Sequence, residues 1–151
     1  MNNELDRFKT AQALCYSQVV KELKNGTKES HWMWYVFPQI RGLGKSAIAK
    51  EYEIKSFEEA YEYLTDPTLS KRLRELISIL SYDVKGKSSE EIFGFPDYLK
   101  FHSSLTLFYL VVQKHLSLKN NVDYACFDDA LTKYYNRELD EATVDILKQI
   151  S

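Results

Sequence analysis

Pro96-Asp97-Tyr98-Leu99-Lys100-Phe101-His102-Ser103-Ser104-Leu105-Thr106-Leu107-Phe108-Tyr109-Leu110-Val111-Val112-Gln113 is the longest apolar segment of the chain. Pro96 and Asp97 are residues suited to a helix start, because proline fixes φ and lacks an N–H that the first turn would leave unpaired. Leu99, Leu105, Phe108, Leu110, Val111 and Val112 fall around nearly every side of the helix that follows, which predicts one central helix buried almost all round. Its uncharged part, Phe101 to Gln113, is too short and too polar at its start to span a membrane.

The flanking sequence supplies helices to cover it. Leu5, Phe8, Ala11, Cys15, Val19 and Leu23 recur every three to four residues, the spacing of a helix face, and Gly26 ends that run. Ser30 can cap a short turn through His31-Trp32-Met33-Trp34-Tyr35-Val36, which Pro38 must stop. Ser46 can cap a helix through Ala49 and Tyr52, and Ser56 with Glu59 reads as a capping box. Asp66-Pro67 opens an amphipathic run through Leu69, Leu73, Leu76, Ile77 and Leu80. Ser88 with Glu91 is a second capping box, over a helix that Gly94 closes. Residues 118–123 read as a polar linker, with further helices through Phe127 to Tyr134 and, capped by Asp140, through Val144 to Leu147. The expectation is an all-α single domain over 1–151 with seven or eight helices and no repeat.

Composition agrees with one globular core: of 151 residues, 44% are hydrophobic and 28% charged. The net charge of -2 argues against a broad nucleic-acid surface, which needs an excess of Lys and Arg on one face. No cationic leader and apolar core open the chain, so a cytoplasmic protein is expected. Cys15 and Cys126 stand far apart with no CxxC or His companion and read as free thiols. His31, His102 and His115 lack the paired spacing of a zinc helix, so no metal and no cofactor are expected. Gly44-Lys45-Ser46 imitates a phosphate loop, but the pattern needs a glycine where Gln39 stands, and too few strands exist to hold such a loop.

The string Ser30-His31-Trp32-Met33-Trp34-Tyr35-Val36-Phe37-Pro38-Gln39 followed by Gly42-Leu43-Gly44 and Ser46 is dense and unusual. With Arg7-Phe8, Ala11-Gln12, Tyr16, Glu59-Ala60, Tyr63-Leu64, Arg72-Leu73, Ile92-Phe93-Gly94, Asp97, Lys100, Ser103-Ser104 and Thr106-Leu107-Phe108, it resembles the bacterial and fungal family called domain of unknown function 1810. The resemblance spans about Leu5 to Ile150 and implies a compact all-helical domain with no settled activity. The label calpastatin, sometimes attached to that family, has no support in this sequence. Tyr35 departs from the phenylalanine expected there, and His102 is particular to this chain.

Polar residues embedded in apolar stretches need partners or ligands, because an unpaired buried donor or acceptor costs about 1–3 kcal/mol. Three groups qualify: Arg7, Gln12 and Tyr16; His31, Trp34 and Gln39; and Asp97, Lys100, Ser103, Ser104 and Thr106. Each has a structural reading, as a cap, a charge pair or a bond to a carbonyl one turn back. Together with the amides of Gly42, Gly44 and Ser46 and the charge of Lys45, they also suit a ring that carries an anion. The leading expectation is therefore a pocket for a small anionic, ring-containing ligand, a nucleotide or an ADP-ribose-like molecule. Trp34 would stack, with Arg7, Lys45 and Lys100 on the anion and Gln12, Gln39, Gly44, Ser46, Ser103 and Ser104 lining. If the ligand is hydrolysed at an N-glycosidic bond, Asp97 and His31 are the candidates for proton transfer. A triad of Ser103 or Ser104 with His31 and Asp97 lacks a nucleophile elbow. The rival reading is an interaction module that receives a protein partner on the aromatic elbow 31–39.

Overall fold

The computed structural model describes residues 3–150 of the domain expected over 1–151. Among them there are eleven α-helices and no strand: α1 Asp6–Ala13, α2 Tyr16–Lys24, α3 Met33–Val36, α4 Ala47–Glu51, α5 Phe57–Thr65, α6 Pro67–Ser78, α7 Ser89–Phe93, α8 Asp97–Lys114, α9 Leu116–Lys119, α10 Cys126–Tyr135 and α11 Glu141–Ile150. Seven of these have at least seven residues; the short α3, α4 and α7 are also among the helices expected from the sequence, whereas α1 and α2 are expected there as one helix and α9 is not expected.

α8 is the axis. Phe101 and every residue from Ser103 to Phe108 are buried, as are Val111 and Val112, so nearly a full circumference of this helix is covered. α5, α7, α10 and α11 pack against it, and α6 joins α5 to α10. Interlocking rings fill the space: Phe37 lies edge-on to Phe93 and Phe101, Tyr63 meets Phe8 and Phe108, and Phe108 meets Phe127. Full burial of such a side chain contributes about 1.5–3 kcal/mol.

Five of the eleven helix starts carry the side-chain cap that the sequence signals. Ser46, Ser56 and Asp66 accept from amides of the first turn of α4, α5 and α6, and Ser88 with Glu91 completes a reciprocal capping box on α7. Around Ser56 the box is incomplete, since the Glu59 carboxylate accepts from the Lys55 amide instead. Asp140 holds the start of α11 through the Thr143 amide and hydroxyl.

Three expectations need correction. The opening helix is not continuous: Cys15 leaves helical geometry at φ -136°, and Leu14 stands exposed at the break. The bend redirects α2, so that Val19, Glu22 and Leu23 are buried and the helix packs on the π-helical turn Ile79–Asp83; a straight helix would carry that stripe past its partners. Ser30 does not cap α3, because its hydroxyl donates to Glu22 at 2.6 Å. Residues 118–123 are no open linker: Leu118 is buried at the end of α9, and Val122–Tyr124 form a 3₁₀ turn.

Candidate functional site

The aromatic elbow is built on a carboxylate that the sequence reading passed over. Glu22 is 2% exposed, and its Oε1 accepts from the amides of Glu29 at 2.7 Å and Ser30 at 3.0 Å and from Trp32 Nε1 at 3.0 Å. Its Oε2 accepts from the Ser30 hydroxyl and from Gln18 Nε2 at 2.9 Å. Burial alone pushes this carboxyl up, but the donors outweigh it and hold the pKa at about 2. Glu22 thus fixes where the chain leaves α2 and how Trp32 enters the core. The signal was present in the sequence: Val19, Glu22 and Leu23 share one helix face, and only one of them is charged.

From this anchor the elbow runs to a cleft. Trp32, Met33, Val36 and Phe37 point into the core, whereas Trp34 and Tyr35 remain half-buried. Beyond Pro38, the chain returns alongside itself through one parallel bridge, Ile40 with Ile54, in which Arg41 N donates to Ile54 O and Ile54 N to Gln39 O, both at 2.8 Å. The cleft lies where this loop faces the first turn of α8. Trp34, Gln39, Gly44, Tyr52, Glu53 and Lys100 are among its lining residues. The cleft is about 20 Å³, room for about one water, and Trp34 and Lys100 keep one side in solvent.

The charges at the cleft are ordered. Lys100 Nζ stands 5.7 Å from the Trp34 ring centre and 3.8 Å from Asp97 Oδ1. The second oxygen of Asp97 pairs at 2.9 Å with Lys28, whose Nζ also donates to Ser30 O at 2.7 Å. Arg41, Lys45 and Lys50 are exposed on the 38–50 segment, which contains no carboxylate. Glu53 turns one oxygen to the Gly42 amide at 3.3 Å. The Gln39 side chain lines the cleft and makes no hydrogen bond with a described residue. Gly44 has a steric role, since a Cβ there would lie 2.4 Å from Ala49 Cβ.

Of the residues singled out in the sequence, then, Trp34, Gln39, Gly44 and Lys100 line one cleft, with Asp97 paired to Lys100 at its edge. Lys45 and Ser46 follow Gly44 on the exposed loop, where the Ser46 hydroxyl is engaged by Ala49 N. The others lie elsewhere, as structural ties. The Arg7 guanidinium donates to the Glu4, Glu51 and Glu53 carbonyls and pairs with Glu59 at 3.3 Å. Gln12 is buried, donates to Tyr35 O and Tyr63 Oη, and accepts from Arg72. Ser103 donates to Leu99 O and Asp140, and Ser104 is buried in the middle of α8. His31 is exposed on the elbow. No contact brings it to Asp97, Ser103 or Ser104, so the drawn triad does not form. Lys28, Tyr52 and Glu53 are cleft or cleft-edge groups that periodicity gave no reason to select.

Cys15 is half-buried and Cys126 buried, both as free thiols. Burial raises both, Cys126 to about 11. The extra hydroxyl of Tyr35 lies 4.0 Å from Cys15 Sγ, and burial lifts its pKa to about 12. Among the described residues no group of three or more His, Cys, Asp or Glu side chains is placed to hold a metal ion, and no helix is long and apolar enough to cross a membrane.

Comparison with known proteins gives the same fold. The family model described as Protein of unknown function (DUF1810) matches residues 2–147. A crystal structure of the conserved hypothetical protein Rv1873 from Mycobacterium tuberculosis is similar, with 45% sequence identity, a TM-score of 0.87 and 96% of each chain covered. No curated protein matches the chain.

Proposed function

The chain belongs to the DUF1810 family of proteins of unknown function, and on that premise we propose that it binds a small anionic, ring-containing ligand of the nucleotide or ADP-ribose kind at the Trp34–Lys100 cleft. The observation that carries the reading is the position of Lys100, with its ammonium over the face of a half-buried Trp34 and only a 3.8 Å partner in Asp97. A ring stacked on the indole would bring an attached phosphate toward that ammonium, and the cationic 38–50 segment raises the local concentration of anions. Gln39 and the second oxygen of Glu53 offer polar contacts to the ring or its hydroxyls. The ring belongs on the open side of the cleft, against Trp34, because the cleft itself is the size of one water.

Binding has more support than hydrolysis. Asp97 is an ion-pair partner of Lys28 and Lys100, and His31 stands outside the cleft. The interaction-module reading has a small surface to work with, since the elbow turns four of its apolar side chains into the core. The test is a thermal-shift panel of nucleotides, NAD, ADP-ribose and sugar phosphates, followed by tryptophan fluorescence. Trp32 is buried and Trp34 half-buried, so a stacked ligand quenches Trp34 selectively. A binding free energy of about 2.7 kcal/mol at a hundredfold excess over Kd raises Tm by roughly 5–10 °C. Trp34→Phe should remove the quench and Lys100→Gln should weaken the anion by about tenfold. A panel without a shift at millimolar concentration, or binding indifferent to both substitutions, would overturn the reading.

A further inference from the structure

At the other end of α8, its last turns, the C-terminal turns of α11 and the start of α5 leave a groove of about 450 Å³. Its floor is Phe57, Leu110, Val144 and Leu147, and Lys114 and Lys148 stand on its rim, both exposed. The volume falls within the roughly 300–1,000 Å³ of small-molecule sites. A handful of apolar side chains is far short of the roughly 20–30 residues a side of a stable protein interface. Glu58 is the one carboxylate among the described residues that line this groove, so its lining carries two ammonium groups to one carboxylate; Lys148 also borders a neighbouring depression with Glu141 and Asp145. We propose that this groove binds a medium-chain aliphatic carboxylate. The tail displaces water from the apolar floor, the carboxylate takes charge-assisted hydrogen bonds from Lys114 and Lys148, and the lysine stems cover the first methylenes. None of these residues lines the Trp34–Lys100 cleft, so the proposal stands apart from the reading of that cleft.

The experiment is titration calorimetry of the full chain with decanoate, decanol and decyltrimethylammonium, each below its micelle concentration. Decanoate should bind saturably at one site and decyltrimethylammonium about tenfold more weakly or worse. Val144→Trp fills the groove from a half-buried position and should abolish binding with Tm unchanged. Val144→Asp, which opposes the carboxylate without adding bulk, gives the same loss should the larger side chain disturb α11. The pair Lys114→Gln and Lys148→Gln should weaken decanoate by about tenfold and leave decanol alone. Equal affinity for the three headgroups, binding that survives Val144→Trp and Val144→Asp in folded protein, or no saturable binding would each overturn the proposal. So would a dimer in solution whose groove is already covered by the second copy.

Discussion

Replacing Glu22 with Gln asks whether the elbow is held by a charge. The carboxylate accepts five hydrogen bonds. An amide in its place keeps one oxygen and turns an N–H toward the Ser30 hydroxyl and Gln18, both of which must then rotate to accept. The drop of the pKa from 4.5 to about 2 corresponds, at about 1.36 kcal/mol per pH unit, to about 3 kcal/mol of folding stability. The folded-state pKa lies below the unfolded one, so this contribution is present in full above 4.5 and is lost as pH falls through about 2. Urea unfolding of wild type and Glu22→Gln should therefore differ by about 3 kcal/mol near pH 7, or roughly 6–12 °C in Tm. The difference should shrink toward zero as the pH approaches 2, while the other carboxylates titrate in both proteins and cancel. A difference that holds constant across that range would refute the reasoning, because the carboxylate's charge would then not be what binds the elbow to α2.

Three further outcomes are expected. Gly44→Ala should cost about 1–3 kcal/mol by overpacking, because its Cβ meets Ala49; thermal melts check this, and a neutral result would mean that the loop moves away at no cost. Asp66→Ala removes the acceptor for Thr68 N and Leu69 N and the 2.9 Å partner of Lys9, at about 1–2 kcal/mol near neutral pH. Hydrogen bonds and Lys9 hold the Asp66 pKa down against its burial, so the cost should fall as pH drops below the ordinary 3.8. Asp97→Asn should lower stability by about 1–3 kcal/mol, since Lys28, 8% exposed, loses its counter-ion. The same change should tighten anion binding by releasing Lys100; loss of turnover with ligand retained would instead assign Asp97 to catalysis.

The fold was legible where one short segment carries both a boundary residue and a periodic face. Asp66-Pro67, Ser88 with Glu91, and the buried run from Phe101 to Phe108 need no distant partner to be read. The break at Cys15 was not legible, because the stripe from Leu5 to Leu23 is equally consistent with a straight helix. What bends it is the position of the 79–83 turn against α2, a contact between segments more than fifty residues apart. Ser30 failed for the same reason: a serine before a helix is a cap by local logic, and a buried carboxylate one helix away outcompetes that role.

The candidate site shows what the rule about buried polar groups can and cannot do. It selected Arg7, Gln12 and Ser103 correctly as groups that need partners, and each has them in backbone carbonyls or side chains of distant helices. The rule says that a partner exists and leaves open whether that partner is protein or ligand. Trp34, Gln39 and Lys100 differ in geometry alone: they meet at a mouth open to solvent, and the Gln39 amide is left without a partner among the described residues. The distinction between a tie and a binding group therefore lies in how much of a side chain's hydrogen-bonding capacity the fold leaves free. Arg7, held by three carbonyls and a carboxylate, has little to offer a ligand, whereas Lys100, 3.8 Å from its one carboxylate, keeps most of its donors available.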